Sequence, residues 1–186
     1  MSNLTRRLFS LGVLGSTAAL AACANGIGGG GGSDIDARVD ETLDFLYNTY
    51  PGTRQIAASA AGMLVMPVMT EVGFGIGGSF GRGALRVGNS TVDYYSVAGA
   101  SAGLQLGVQQ FSHVLFFMNE DALSEFRYAS GWTAGADLEY ALNDQGEMLR
   151  ADTTSLSSPV IAVVFGQAGF RVGATLEGAK YSRIIP

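Results

Sequence analysis

The chain has 186 residues, 47% of them hydrophobic and 15% charged, with 27 glycines, one cysteine and one histidine. Its apolar content, 7 tyrosines and 10 phenylalanines exclude a disordered chain, and the lone cysteine excludes a disulfide framework and multi-cysteine metal sites. With 11 basic against 16 acidic residues, it lacks the basic stripe that a nucleic-acid binder needs, so we expect no nucleic-acid partner.

The first 22 residues have the pattern of a signal peptide. Arg6 and Arg7 precede an uncharged stretch over residues 8–22, which is shorter than the roughly 20 apolar residues of a membrane-spanning helix. The segment Leu20-Ala21-Ala22-Cys23 resembles the lipobox of bacterial lipoproteins, in which the cysteine is acylated and the chain is cut just before it. We therefore predict residues 1–22 to be a signal peptide and Cys23 to carry acyl groups such as palmitate.

The signal sequence leaves the export route open. Thr5-Arg6-Arg7-Leu8-Phe9 resembles a twin-arginine export signal, whereas paired arginines also begin general secretory signals. Ala24 follows Cys23, and with no Asp there to indicate inner-membrane retention we expect the outer membrane, with the protein facing the periplasm. Removal of Arg6 and Arg7 leaves 9 basic against 16 acidic residues, a formal charge of −7.

Residues 23–33 are predicted to be a tether that begins at the lipidated cysteine. Five consecutive glycines, residues 28–32, carry no side chains to pack, and no Lys follows them as in a phosphate-binding loop. The remaining residues, 34–186, form one domain, which is long enough to bury about 70% of the surface of its unfolded chain.

Helical periodicity is clearest at the start of this domain. Apolar residues recur at helical spacing from Ile35 to Tyr50 among acidic residues, and Pro51-Gly52 ends the pattern. Shorter helices are predicted over residues 54–61 and 120–128, the latter N-capped by Asn119.

Most of the rest alternates like β-strands. Met63–Met66 is an apolar run closed by Pro67, and Gly88-Asn89 suits a hairpin turn. Gly73, Gly75 and Gly77 share one strand face, and such glycines indicate close backbone approach or sharp curvature. A second series, Gly99, Gly103 and Gly107, again falls on one face. The other predicted strands cover 72–80, 84–87, 93–98, 104–108, 113–118, 134–140, 160–165, 170–174 and 179–184, and residues 151–159 are predicted to be a loop.

These elements predict an α+β fold. The sheet should be curved and mainly antiparallel, with a long N-terminal helix and one or two short helices packed on it. The glycines allow the sheet either to remain open or to close into a barrel.

Several motifs in order resemble the SYLF domain, a lipid-binding module of bacterial envelope proteins and eukaryotic endocytic proteins. They run from about Arg54 to Tyr181, nearly the whole domain. They are Ala60-Ala61-Gly62-Met63-Leu64-Val65-Met66-Pro67, Gly73-Phe74-Gly75-Ile76-Gly77-Gly78, Gly81-Arg82-Gly83-Ala84-Leu85, Tyr94-Tyr95-Ser96, Gly103-Leu104-Gln105-Leu106-Gly107, Leu115-Phe116-Phe117-Met118, Ala122-Leu123, Gly169-Phe170, Gly173 and Leu176-Glu177-Gly178.

The resemblance implies binding of anionic phospholipid in the eukaryotic members and an envelope lipoprotein in the bacterial ones. This sequence departs from the eukaryotic pattern, because Lys180 is its only lysine and its N-terminal helix is acidic, whereas phosphoinositide sites recruit basic clusters. The candidate phosphate contacts are Arg82, Arg86 and Lys180. Two functions remain open: a lipid-anchored protein that binds phospholipid or another apolar ligand, and a structural or protein-interaction module of the envelope that has no lipid ligand of its own and whose protein partner the sequence does not identify.

The sequence offers little support for an enzyme, a metal or a cofactor. His113, the only histidine, alternates with Phe111, Leu115 and Phe117, which favours a packed, hydrogen-bonded core residue. The formal GxGxxG match over residues 73–78 continues into a strand and turn, where a dinucleotide site needs a helix. We therefore expect a binding protein with no catalytic residue.

Overall fold

The computed structural model describes residues 31–135, 138–140, 158–166, 169–170, 176 and 178–186. They form the expected α+β fold, with a seven-stranded, mostly antiparallel sheet curled into a half-barrel. The helices are α1 (Gly31–Thr49), α2 (Thr53–Ser59) and α3 (Glu120–Tyr128). The strands are β1 (Gly62–Val87), β2 (Ser90–Phe117), β3 (Trp132–Thr133), β4 (Glu139–Tyr140), β5 (Val160–Gly166), β6 (Gly169–Phe170) and β7 (Lys180–Ile184).

The sheet is organised around β2. The β1–β2 hairpin turns at Gly88 and Asn89, as predicted, with Gly88 at φ +58° in the left-handed region. Along its other edge, β2 pairs with β7 near its start and with β5 near its end, both antiparallel. Among the strands described, β4 alone pairs in parallel, and its partner is β5.

The two glycine series of the sequence meet in the bend of this hairpin. Gly73 lies opposite Gly107, and Gly75 lies opposite Gly103. Strand glycines without side chains ease sharp coiling of a sheet. The hairpin curls so far that the two halves of β1 approach each other, with Gly83 facing the backbone of Val65. The predicted curvature of the sheet is confirmed, and close backbone approach is found at Gly81 and Gly83, outside the series for which it was the other explanation.

The strand boundaries within the hairpin differ from the prediction. Pro67 does not close the first strand, because β1 continues through it with a register shift between Met66 and Met69. Two residues of β1 oppose only Ser112 there, as in a β-bulge, and a bulge is a place where a sheet accepts proline. The Ser112 hydroxyl donates to the Pro67 carbonyl at 2.6 Å. The short strands predicted between residues 63 and 118 are thus parts of just two long ones.

Both faces of the sheet carry a core. We name the face that packs against α1 the helix face; its core includes Val39, Leu46, Val65 and Phe116. The opposite, inner face packs against α3 through a core that includes Phe126. Val65 and Phe116 alternate along their strands with residues of the other core, as a sheet covered on both sides requires.

The helices match the sequence pattern closely. Asn119 caps α3 as predicted, because its side-chain oxygen accepts from the Ala122 amide at 2.8 Å. Helix α1 begins at Gly31, four residues before the predicted start, and Gly31 lies beside Pro186, where an added Cβ would come within 3.0 Å of the Pro186 carbonyl carbon. The start of α1 and the end of the chain therefore occupy one corner of the domain. None of the helices described has the length and hydropathy to cross a membrane.

The remaining sequence predictions lie partly outside the described residues. Of the strand predicted over 134–140, residues 134, 135 and 138 are described and lie outside any strand, residues 139 and 140 form β4, and β3 precedes the predicted range. For the strand predicted over 170–174, only residue 170 is described, and it belongs to β6. Residues 151–157 of the predicted loop and residues 1–30, with Cys23, are likewise outside.

Candidate functional site

Arg86, a predicted phosphate contact, holds helix α1 on the sheet. Its Nη2 lies 2.7 Å from Asp40 Oδ1 and 3.6 Å from Asp36 Oδ1, and its side chain is only 13% exposed. Asp36 also accepts hydrogen bonds from the Thr91 and Tyr94 hydroxyls at 2.7 and 2.8 Å. This guanidinium therefore pairs with the acidic residues of α1, and the hydrogen bonds of its two Nη atoms go to Asp40 and to the Asn89 carbonyl.

The other two predicted basic residues share a surface. Arg82 lies opposite Ser96, and Lys180 lies opposite Ala98, two residues further along β2. Opposed residues share a face of the sheet, as do residues two apart along a strand, so Arg82 and Lys180 occupy neighbouring rows of the helix face. Both side chains are exposed. The structure thus brings Arg82 and Lys180 together and separates Arg86 from them.

A groove beside β7, the strand between β2 and β3, contains two arginines that the sequence analysis did not select. We name it the arginine groove; its volume is about 480 Å³. Asp93 Oδ2 lies 3.2 Å from Arg127 Nε and 3.4 Å from Arg183 Nη2, and the latter nitrogen donates to the Arg127 carbonyl at 3.0 Å. The lining residues are Arg127, Tyr128, Ala129, Ser130, Ser182 and Arg183.

The charge of this groove is positive. Two guanidiniums face the single carboxylate of Asp93, whose side chain is 14% exposed. Each arginine carries five N–H donors in a fixed fork, and Asp93 engages one nitrogen of each. The arrangement can accept an anion with several oxygens, such as a phosphate ester, without displacing Asp93.

The groove adjoins two exposed apolar side chains. Tyr128 is 88% exposed and follows Arg127 at the end of α3, and Ile185 is 91% exposed and lies two residues after Arg183. Single exposed apolar residues are common on protein surfaces. Together with the two arginines, they place charged and apolar side chains on one part of the surface.

His113 is buried, as predicted. Its side chain is 0% exposed, and its Nε2 lies 2.8 Å from the Tyr181 hydroxyl. Burial lowers the pKa of His113 to about 3, so the imidazole is neutral at neutral pH. Together with its neighbours Phe111 and Leu115, this placement assigns His113 to the core of the inner face.

Within the described ranges, no three His, Cys, Asp or Glu side chains are placed to hold a metal ion.

Comparison with known families adds one finding. Residues 98–183 match the model of the family described as Ysc84: Las17-binding protein actin regulator. The match covers just under half of the chain and includes most of β2, all of α3 and both arginines of the groove. It confirms the resemblance to the SYLF domain. No curated protein matches the chain.

Proposed function

We propose that this protein is a lipid-anchored component of a bacterial envelope whose SYLF-like domain binds anionic phospholipid. The observation that carries the proposal is the exposed pair Arg82 and Lys180, which share one sheet face in a domain that resembles lipid-binding modules. A basic side chain near an anionic bilayer contributes about 1 kcal/mol of attraction. The function is one of binding, with no catalytic step.

The acyl chains on Cys23 would supply most of the membrane affinity. The mature chain carries a formal charge of −7, so its long-range field opposes approach to an anionic surface. Any specific attraction to the bilayer must therefore be local, and the few exposed basic residues are the groups that can supply it.

The first prediction concerns the anchor. Cys23→Ser in the full chain should accumulate as an unprocessed precursor and take up no labelled palmitate, because the thiol is the acylation site. Metabolic labelling and the mobility of the protein in gels measure both effects. Membrane fractionation of the parent should place the mature protein in the outer membrane. Normal labelling of Cys23→Ser, or a parent found wholly in the inner membrane, would contradict the corresponding part of the proposal.

The second prediction concerns the basic pair. In vesicle flotation, the mature chain with Cys23→Ala should bind phosphatidylglycerol vesicles weakly, and Arg82→Gln with Lys180→Gln should reduce that binding about tenfold. Added salt should remove the same part of the binding, since exposed charges are screened over about 8 Å at physiological ionic strength. The matched control is Arg38→Gln with Arg54→Gln, two exposed arginines of α1 and α2. An equal loss in both double variants would exclude a local site.

A second candidate function is an envelope module that binds protein. The matched family is described as Las17-binding and as an actin regulator, which is a protein-interaction role. Val72 and Val108 lie opposite each other in the β1–β2 hairpin, and both are exposed. An exposed apolar pair on a sheet suits a protein contact. Absence of phospholipid binding in flotation, with retention of a partner by affinity capture that Val72→Ser abolishes, would favour this function.

A further inference from the structure

The predicted anchor limits which side of the domain can meet the bilayer. Between Cys23 and the start of α1 at Gly31 the chain spans at most about 30 Å, even when fully extended. A domain of this length is about 40 Å across. The distance between Gly31 and the membrane is therefore always smaller than the diameter of the domain.

The arginine groove is linked to this corner by the residues that follow β7. Gly31 packs beside Pro186, and Pro186 lies three residues after Arg183 of the groove. Ile185, between them, is almost fully exposed. Lys180 lies on the helix face, whereas Arg183, opposite Tyr95 of the inner-face core, lies on the other face of β7. Arg183, which also contacts the Arg127 carbonyl, is thus the basic residue that lies close in the chain to Pro186, beside which the tether enters the domain.

The chemistry of the corner matches a phospholipid headgroup. Arg127 and Arg183 offer planar forks of N–H donors that fit phosphate oxygens, and Ser130 lies in the same wall. Tyr128 and Ile185 are both almost fully exposed, and tyrosine and aliphatic side chains are favoured at the boundary of headgroups and acyl chains. Asp93 fixes both arginines, so little side-chain freedom is lost when an anion binds.

We propose that Arg127 and Arg183 form a headgroup site, which binds the phosphate of an anionic phospholipid in the same bilayer that holds the acylated Cys23. This inference rests on the proposed function and adds a site to it. The groove faces the membrane, Tyr128 and Ile185 enter the interface, and the acidic outer surface of α1 faces away from the lipid.

A single fluorescent label tests the site directly. Because Cys23 is the only cysteine, the mature chain with Cys23→Ala has no thiol, and a polarity-sensitive dye can be placed at Ser130→Cys in the groove. The control label is placed at Asp44→Cys, an exposed position about 20 Å along α1 from Gly31. Vesicles of phosphatidylcholine, with and without phosphatidylglycerol, are titrated into each labelled chain.

The expected result is a blue shift of the Ser130 label with phosphatidylglycerol vesicles only, and none of the Asp44 label. Arg127→Gln with Arg183→Gln should weaken this response about tenfold, whereas Arg38→Gln with Arg54→Gln should leave it unchanged. If the double glutamine variant unfolds because Asp93 loses its partners, the double variant Arg127→Lys with Arg183→Lys is tested in its place. It keeps the charge and loses the fork geometry, and weaker binding is again expected.

The alternatives give different results. If the chain floats with phosphatidylglycerol vesicles but the two labels respond alike, or the arginine variants bind like the parent, the headgroup site is wrong and the proposed function stands. If inorganic phosphate abolishes the Ser130 response without releasing the chain from vesicles, the groove binds free anions and the proposal fails. If the chain binds no vesicles, the proposed function itself fails.

Discussion

Gly83→Ala should destabilise the protein by about 3 kcal/mol, a large part of the free energy of unfolding of a typical domain. An added Cβ at Gly83 would overlap the carbonyl oxygen of Val65, on the other half of the same strand. The overlap is with backbone, so no side-chain rotation relieves it, and the two halves of β1 would have to separate. The free energy of unfolding, measured in urea, reports the effect.

Gly78→Ala in the same strand is the matched control. The nearest atom to an added Cβ there is the Gly99 carbonyl oxygen at 3.6 Å, an ordinary van der Waals distance. Since a strand glycine costs roughly 0.5 to 1 kcal/mol relative to alanine, this variant should be as stable as the parent or slightly more so. Equal stabilities of the two variants would mean that the halves of β1 do not meet at Gly83.

The second large effect is a loss of stability in mild acid, caused by His113. Burial lowers its pKa to about 3 in the folded protein, against about 6.5 in the unfolded chain. Between these values the unfolded chain binds a proton that the folded protein does not. This contribution to stability is therefore complete above about pH 6.5 and is lost as the pH falls toward 3, by about 1.4 kcal/mol per pH unit.

His113→Gln separates this contribution from the titration of carboxylates. At pH 7.5 the variant should be less stable by about 1 to 3 kcal/mol, because the buried contact with Tyr181 is altered. Between pH 7.5 and about pH 5, the free energy of unfolding of the parent should fall by about 2 kcal/mol more than that of the variant. The difference in stability between the two proteins should therefore close or reverse. Identical pH dependence in parent and variant would show that folding does not lower the pKa of His113. A variant that melts like the parent yet loses a measurable activity would refute the structural role.

Local patterns predicted the fold well. The helical spacing of apolar residues from Ile35 predicted α1. Asn119 caps α3, and Gly88-Asn89 forms the hairpin turn. The sequence analysis did not predict that the short strands are parts of β1 and β2, because Pro67 was interpreted as the end of a strand. A bulge can accept proline within a strand, and the pairing of Gly73 with Gly107 depends on a register that distant residues set.

The candidate site was less predictable, since charged residues acquire their partners only in three dimensions. Arg82 and Lys180 were selected and do share a face. Arg86 was selected for its place beside the glycines, but Asp36 and Asp40, far away in sequence, engage it. The arginine groove joins Arg127 to Arg183 across 56 positions. No spacing in the sequence indicated that pair.

The central claim is that the folded domain binds anionic phospholipid independently of its acyl anchor. Equilibrium flotation of the mature chain with Cys23→Ala, with phosphatidylglycerol vesicles and with phosphatidylcholine vesicles, measures this most directly. We predict weak binding to phosphatidylglycerol that salt reduces, and much less binding to phosphatidylcholine. No binding to either vesicle at low salt would contradict the account and leave the protein-interaction function in its place.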